Sequence, residues 1–149
     1  MGDSSSIGKF FGHPIHIMLI HFPSALFPFA LFFDILYLFD GESVYLEISK
    51  YSIWCGVTIG SFASIFGVMD LLKIKSDSKA NSIAITHAIT NFSVVFVYLI
   101  IGMVKLKPEF LEYHLWVTAS SFVTFTFMVY GNFLGGQLVL KYRIGTEKN

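Results

Sequence analysis

The stretch IHIMLIHFPSALFPFALFFDILYLF, residues 15–39, decides the fold of this chain. It contains no lysine or arginine and a single carboxylate, Asp34. An α-helix rises about 1.5 Å per residue, so a run of this length crosses a hydrocarbon core about 30 Å thick. Three more apolar runs follow it along the chain. We therefore predict four membrane-spanning helices, at about residues 15–39, 51–72, 83–104 and 115–140.

The overall composition also indicates a membrane environment. Of the 149 residues 54% are hydrophobic and 13% are charged, and the mean hydropathy is +0.67. A soluble domain of this length could not bury so much apolar surface, so we expect lipids to surround the helices. Ten basic and ten acidic residues leave no net charge, which gives no indication of nucleic acid as a partner. The single cysteine excludes an intrachain disulfide, an iron–sulfur cluster and a c-type haem attachment motif.

The links between the four runs are short, and short links make successive helices antiparallel neighbours. We predict an all-α, up-down-up-down four-helix bundle over residues 13–140, with a flexible N-terminal arm at 1–12 and a tail at 141–149. Lysine and arginine concentrate on the side that holds both termini. Positive charge near the ends of spans resists translocation, so both termini should be cytoplasmic and the protein a multi-pass protein of the cell membrane.

Histidines near the cytoplasmic ends of the first and third spans suggest a cofactor. The segment HPIHIMLIHFP, residues 13–23, holds three of them. His21 lies about 9 Å inside the first span and His87 about 6 Å inside the third. These spans run in the same direction, so the two imidazoles should meet at nearly one level. Burying an imidazole in lipid is costly unless it has a partner, and axial ligation of a b-type haem would supply one.

Other residues at this end support or extend that site. Asn91 lies one turn beyond His87 and is predicted to hydrogen-bond a cofactor edge or a neighbouring helix. Asp70, Asn132 and Gln137 are predicted to complete a polar cluster there. The glycines of the second and fourth spans, which include Gly135 and Gly136, indicate close helix packing or, alternatively, room for a flat cofactor.

Several alternatives remain at these positions. His21 and His87 could bind another transition metal, or they could only hydrogen-bond neighbouring helices. His13 and His16, three residues apart, form a possible second metal or haem site. Asp34 is predicted either to make a buried hydrogen bond or to handle protons.

Two further expectations concern the shape of the bundle. Pro23 and Pro28 cannot donate hydrogen bonds to backbone carbonyls, so the first helix should kink or unwind locally just past His21. His114 is placed at the opposite membrane face, where we expect an interfacial position.

Four motifs resemble the membrane family catalogued as domain of unknown function 2231: HPIHIMLIHFP, GVMD, THAITN and GNFLGGQLV. The resemblance extends from His13 to about Gly145, although Ile17 stands where the family usually has a second proline. It implies a four-helix membrane protein, often found beside or fused to Rieske iron–sulfur or c-type cytochrome modules. The family motifs match this chain at His13, His16, His21, Asp70, His87, Asn91, Gly135 and Gly136.

Together these observations favour a small b-type cytochrome-like protein that binds haem b between the first and third helices. Its predicted role is electron transfer as a subunit of a larger redox assembly, with Rieske or cytochrome partners or further copies of itself. No nucleophile–base arrangement or phosphate-binding loop is evident in the sequence, so a stand-alone enzyme is less favoured. The alternatives are a small transporter, channel or proton-conducting subunit that uses the histidines and Asp70, and a scaffold whose histidines only hold helices together.

Overall fold

The computed structural model describes residues 9, 10 and 13–144. Four long α-helices dominate it: α1 Ile15–Asp40, α2 Ser43–Leu71, α3 Lys79–Val104 and α4 His114–Leu140. A 3₁₀ helix, Pro108–Tyr113, leads directly into α4, and the two-residue strands β1 (Lys9–Phe10) and β2 (His13–Pro14) pair antiparallel before α1. All four helices are long and apolar enough to cross a membrane. The prediction of an all-α, four-helix membrane protein is confirmed.

The helices form a ring in sequence order. α1 packs on α2, α2 on α3, α3 on α4, and α4 closes the ring against α1. The buried residues recur every three or four positions on each helix, as in other helix bundles. We call each such row of inward-facing positions a seam.

An apolar layer occupies the middle of the bundle. The Phe27 ring of α1 stacks on the Tyr98 ring of α3, with ring centres 3.9 Å apart. Ile53, Val94 and Met128 pack in the same cluster, all of them nearly inaccessible to solvent. The layer separates the polar side chains at one end of the bundle from those at the other.

Helix boundaries differ from the predicted spans mainly around the first link. Gly41 adopts a left-handed backbone conformation, with φ 73°, and its N–H donates to the Tyr37 oxygen at 2.9 Å. Glycine tolerates this conformation, so a two-residue turn ends α1 and lets α2 begin at Ser43, well before the predicted residue 51.

α1 runs without interruption through Pro23 and Pro28. The local unwinding predicted past His21 is therefore not seen. Pro23 is buried and lies close to Gly60 of α2, where an added Cβ would be 3.6 Å from the Pro23 Cβ. Packing against a neighbouring helix is one way in which membrane helices tolerate an internal proline.

The predicted N-terminal arm, residues 1–12, lies outside the described residues apart from 9 and 10. The end of the predicted tail, residues 145–149, also lies outside them. The described part of the tail, Lys141–Ile144, follows α4 directly.

Candidate functional site

Two imidazoles meet across the bundle near the start of α1 and α3. The ring centres of His16 and His87 are 6.4 Å apart, and the ring planes are perpendicular. The two helices lie diagonally across the ring of four, so these side chains reach toward the bundle axis from opposite sides. We call them the histidine pair.

His16 is held by α2. Its Nδ1 donates to the backbone oxygen of Ala63 at 2.8 Å. The ring lies against Gly67, one turn further along α2, where an added Cβ would come within 2.8 Å of the His16 Cε1. Any side chain at Gly67 would therefore displace the imidazole.

His87 is held by α4 in the same way. Its Nδ1 donates to the backbone oxygen of Gly131 at 2.8 Å, and a Cβ added at Gly135 would come within 2.8 Å of the His87 Cε1. The Asn91 amide nitrogen lies 3.1 Å from the same Nδ1, but it donates to the His87 backbone oxygen at 2.9 Å. The Asn91 side chain also packs on Gly131, where an added Cβ would lie 2.7 Å from Nδ2.

The two histidines thus occupy equivalent places in two helix hairpins, α1–α2 and α3–α4. In each hairpin the carbonyl that accepts from the imidazole comes four residues before the glycine that the ring contacts. A carbonyl oxygen can only accept, so Nδ1 carries the hydrogen in both rings and Nε2 keeps its lone pair. Metal-ligating histidines usually have their second ring nitrogen held in this manner.

A cavity of about 730 Å³ adjoins the histidine pair and receives side chains from all four helices. Most of its wall is aliphatic or aromatic, with residues such as Ile17, Ile20, Val68 and Phe92. Its volume falls in the range typical of sites for cofactors and small molecules. Six predicted site residues outside the histidine pair also line it: His21, Asp70, Asn91, Asn132, Gly135 and Gly136.

The histidine in contact with His87 is His16, and not His21 as predicted. His16 lies seven residues before the buried Pro23 and so on the same face of α1. His21 lies two residues before Pro23, about 200° around the helix. Its side chain is exposed, and its Nδ1 donates to the Ile17 oxygen of its own helix at 2.6 Å. His21 still borders the cavity, and its role as an iron ligand stays a prediction.

The remaining predicted residues have varied positions. Asn132 borders the cavity and donates from Nδ2 to Ser24 Oγ at 3.2 Å. Gln137 is half-buried in the last turn of α4, outside the lining of this cavity. The side chain of His13 lies outside the described residues. The glycines contact protein rings: Gly67 and Gly135 contact imidazoles, and Gly56 contacts Phe27. At Gly136, an added Cβ would have no atom of another helix within 4 Å among residues 9, 10 and 13–144.

A second polar cluster lies at the opposite end of the bundle. The sequence predicts a role for Asp34 there, but it does not predict its partners. Lys105 Nζ lies 2.5 Å from Asp34 Oδ1, and His114 Nε2 lies 3.6 Å from the same oxygen. All three residues are 5% exposed or less. Asp34 thus makes a buried hydrogen bond, which is one of the two roles that the sequence predicts for it. His114 is buried, because α1 and the 3₁₀ helix before α4 enclose its ring between Tyr37 and Phe110, and its position at the membrane interface stays a prediction.

The electrostatics of this cluster are dominated by burial. Burial lowers the pKa of Lys105, which lies just beyond the end of α3, and the neighbouring Asp34 carboxylate opposes that change. A buried ion pair of this kind is costly to desolvate but strongly destabilising to break.

The seams contain the signal that would have found both clusters. On α3 the buried positions Ala84, Val94, Tyr98 and Ile101 belong to one series with alternating steps of three and four, and His87, Asn91 and Lys105 fill the remaining places in it. Depth along the helix does not by itself distinguish His16 from His21, whereas the direction around the helix does.

The match to a family model extends over residues 12–148, and that model is described as "Predicted membrane protein (DUF2231)". The chain belongs to this family. Membership confirms the resemblance found in the sequence and agrees with four membrane-spanning helices. No curated protein and no solved structure matches the chain. For this member of DUF2231, the histidine pair and its cavity are therefore the strongest evidence for function.

Proposed function

We propose that this protein is a small b-type cytochrome-like subunit of the cell membrane in which His16 and His87 bind one haem iron. The observation that carries the proposal is the histidine pair itself: two imidazoles from diagonal helices, each with Nδ1 bonded to a carbonyl. A haem bound there would supply one-electron transfer, and the protein would supply ligation, burial and hydrogen bonding.

The ring centres of the two histidines are 6.4 Å apart. Imidazole nitrogens bind transition metals at about 2 Å, so two rings at this separation would be close enough to hold one metal. The hydrogen bonds to Ala63 and Gly131 leave Nε2 of each ring as the nitrogen available to the iron.

The number of protein ligands favours haem over a bare metal ion. Among residues 9, 10 and 13–144, no three His, Cys, Asp or Glu side chains come together as a metal site. A structural or catalytic zinc ion usually takes three or four protein ligands, whereas a haem iron needs only one or two axial ones. The largely apolar cavity beside the pair suits a flat hydrophobic macrocycle.

The proposed setting is a larger membrane redox assembly. The family resemblance suggests Rieske or c-type cytochrome partners, because such modules often accompany this family. A second copy of the chain is a further candidate. In either case the short links leave the protein without a large domain outside the membrane, at least within residues 13–144. Its partners would therefore contact mainly helices and short turns.

The experiment is a haem titration of the detergent-purified chain, followed by optical spectra before and after reduction with dithionite. We expect sharp reduced α and β bands in the native protein. His16→Ala and His87→Ala should each abolish them. His21→Ala is the matched control, because it removes an imidazole that borders the same cavity from the opposite face of α1, and it should leave the bands in place.

Two results would contradict the proposal. If none of the proteins binds haem with a six-coordinate spectrum, the cytochrome function fails. If His21→Ala abolishes the bands and His16→Ala does not, haem is bound but by the pair first predicted from the sequence.

A small transporter or proton-conducting subunit is the second candidate, and the buried cluster at the opposite end of the bundle favours it. A conducting path would have to cross the apolar layer that contains Phe27, Ile53 and Met128. The test is proton flux into liposomes that contain the purified protein. Flux that depends on both His87 and Asp34 would support this candidate over the first.

A further inference from the structure

The cluster of Asp34, Lys105 and His114, which we call the far-end cluster, takes no part in the proposed haem site. It lies beyond the apolar layer, at the opposite end of the bundle from the histidine pair. Its three side chains come from α1, from the residue after α3 and from the first residue of α4. The chain therefore brings three separate segments together to bury ionisable groups.

One carboxylate oxygen is shared by two bases. Asp34 Oδ1 is 2.5 Å from Lys105 Nζ and 3.6 Å from His114 Nε2. The carboxylate carries one negative charge and can be balanced by one buried positive charge. Two nitrogen bases compete to hold that charge, because a second cation in the same low-dielectric pocket would be poorly compensated.

The surroundings of His114 decide which ring nitrogen accepts a proton. Thr118 donates its hydroxyl hydrogen to the His114 backbone oxygen at 2.9 Å, so its oxygen faces Nε2 as an acceptor at 3.5 Å. Asp34 Oδ1, on the same side of the ring, is also an acceptor. The neutral ring therefore carries its hydrogen on Nε2 and has a free lone pair on Nδ1.

Several polar atoms of this half of the bundle are buried without a hydrogen-bond partner. Within the described part of the chain they are Asp34 Oδ2, His114 Nδ1, Ser49 Oγ and Ser121 Oγ. Buried polar atoms in proteins are nearly always satisfied, often by internal water. The unpaired His114 Nδ1 is therefore the atom at which the ring would take up a proton when Lys105 loses one.

Other titratable groups face the cluster from each packed element. Tyr37 of α1 contacts the His114 ring, and Tyr98 of α3 lies near Asp34. Lys50 of α2 acts on Lys105 as a like charge. The 3₁₀ helix adds the Phe110 ring, which Lys105 Nζ approaches to 5.5 Å from its centre. The charge from Lys50 disfavours the Lys105 cation.

We propose that the far-end cluster is a proton-binding site in which one positive charge resides on Lys105 or on His114, with Asp34 as the common counter-ion. Loss of a proton from Lys105 leaves a neutral amine and releases that proton to water at this membrane face. Uptake of a proton from the same water by His114 Nδ1 forms an imidazolium, and its Nε2–H pairs with Asp34. The total charge of the cluster is the same before and after.

The test is nitrogen NMR of the imidazoles in the full-length protein in detergent, with His114 identified by its loss in His114→Gln. In the native chain at neutral pH we expect a neutral His114 with its hydrogen on Nε2. In Lys105→Met the carboxylate loses its cation, so the His114 signal should change to that of a doubly protonated ring at the same pH. In the double variant Asp34→Asn with Lys105→Met, the neutral signal should return.

Lys107→Met is the control, because it removes an exposed lysine two residues away and should leave His114 as in the native chain. A His114 signal that is identical in the native chain and in Lys105→Met would overturn the proposal. If Lys105→Met does not fold, the tautomer of His114 in the native protein still tests the proposal. A neutral ring with its hydrogen on Nδ1 would contradict the proposal, because Nδ1 could then not accept a proton.

Discussion

The close approach of Gly135 to His87 makes this single position sensitive to one added methyl group. A Cβ there would lie 2.8 Å from Cε1 of the ring, so Gly135→Ala must move the imidazole away from the Gly131 carbonyl. We expect a loss of about 1–3 kcal/mol in the free energy of unfolding, as for other overpacked sites. If the protein binds haem, Gly135→Ala should also lower its affinity for haem.

The neighbouring Gly136 offers the matched control. Beyond its own helix backbone and chain neighbours, no atom of the described residues lies within 4 Å of a Cβ added there, so Gly136→Ala should be neutral or stabilising by up to about 1 kcal/mol, the helix preference of alanine over glycine. Thermal unfolding in detergent measures both variants. Equal melting temperatures for the two would show that His87 is not confined by Gly135.

The buried and exposed ion pairs of this chain should respond very differently to the loss of a carboxylate. Asp34→Ala leaves Lys105 buried without its partner and should cost about 3–5 kcal/mol. Glu47→Ala breaks the Lys50–Glu47 pair, 2.7 Å long but on the surface, and should cost between about 0 and 1 kcal/mol. Chemical denaturation of both variants gives the comparison. A cost for Asp34→Ala as small as that for Glu47→Ala would mean that water reaches Lys105.

Among the helices in the described part of the chain, α3 is the one with a side-chain cap at its start. Ser78 Oγ accepts from the Asn81 N–H at 3.1 Å at the start of α3. Ser78→Ala should therefore destabilise the protein by about 1 kcal/mol. Ser76→Ala, in the same link but outside the helix, is the control. Hydrogen exchange of the first turn of α3 should accelerate in Ser78→Ala alone, and unchanged exchange would contradict a role of the cap.

The helices were predictable from the sequence because a run of twenty or more mainly apolar residues is typical of a membrane-spanning helix. Their faces were harder to predict. Depth placed His21 and His87 at one level, but rotation about α1 turns His21 away from the bundle and His16 toward it. The regular recurrence of His16, Pro23 and Ala30 every seven residues carried that information in the sequence.

Lys105 and His114 were harder to predict for another reason, because their seam positions do not say which partner they meet. A lysine or histidine next to a span is usually at the interface, and only a carboxylate at the matching level of another helix makes its burial favourable. Asp34 provides that carboxylate, but the sequence does not indicate the pairing by itself. The three positions approach one another only once the ring of four helices has formed.

For the whole molecule, the distribution of lysines predicts the orientation in the membrane. Lys73 and Lys75 lie in the α2–α3 link and Lys79 begins α3, so this end should be cytoplasmic, while the α1–α2 link contains no lysine or arginine. In a Cys55→Ala background, Glu42→Cys should react with an impermeant maleimide in intact cells. Ser76→Cys should react only after the cells are opened. The reverse labelling pattern would show that the protein has the opposite orientation in the membrane.

The histidine pair has a mechanical consequence because each ring is attached to its own hairpin. The bond from His16 to Ala63 lies wholly within the first hairpin, and the bond from His87 to Gly131 lies wholly within the second. A slide or tilt of one hairpin against the other would widen or narrow the gap between the imidazoles without breaking either bond. A partner that tilted one hairpin would therefore change the distance between the two imidazoles and leave both hydrogen bonds in place.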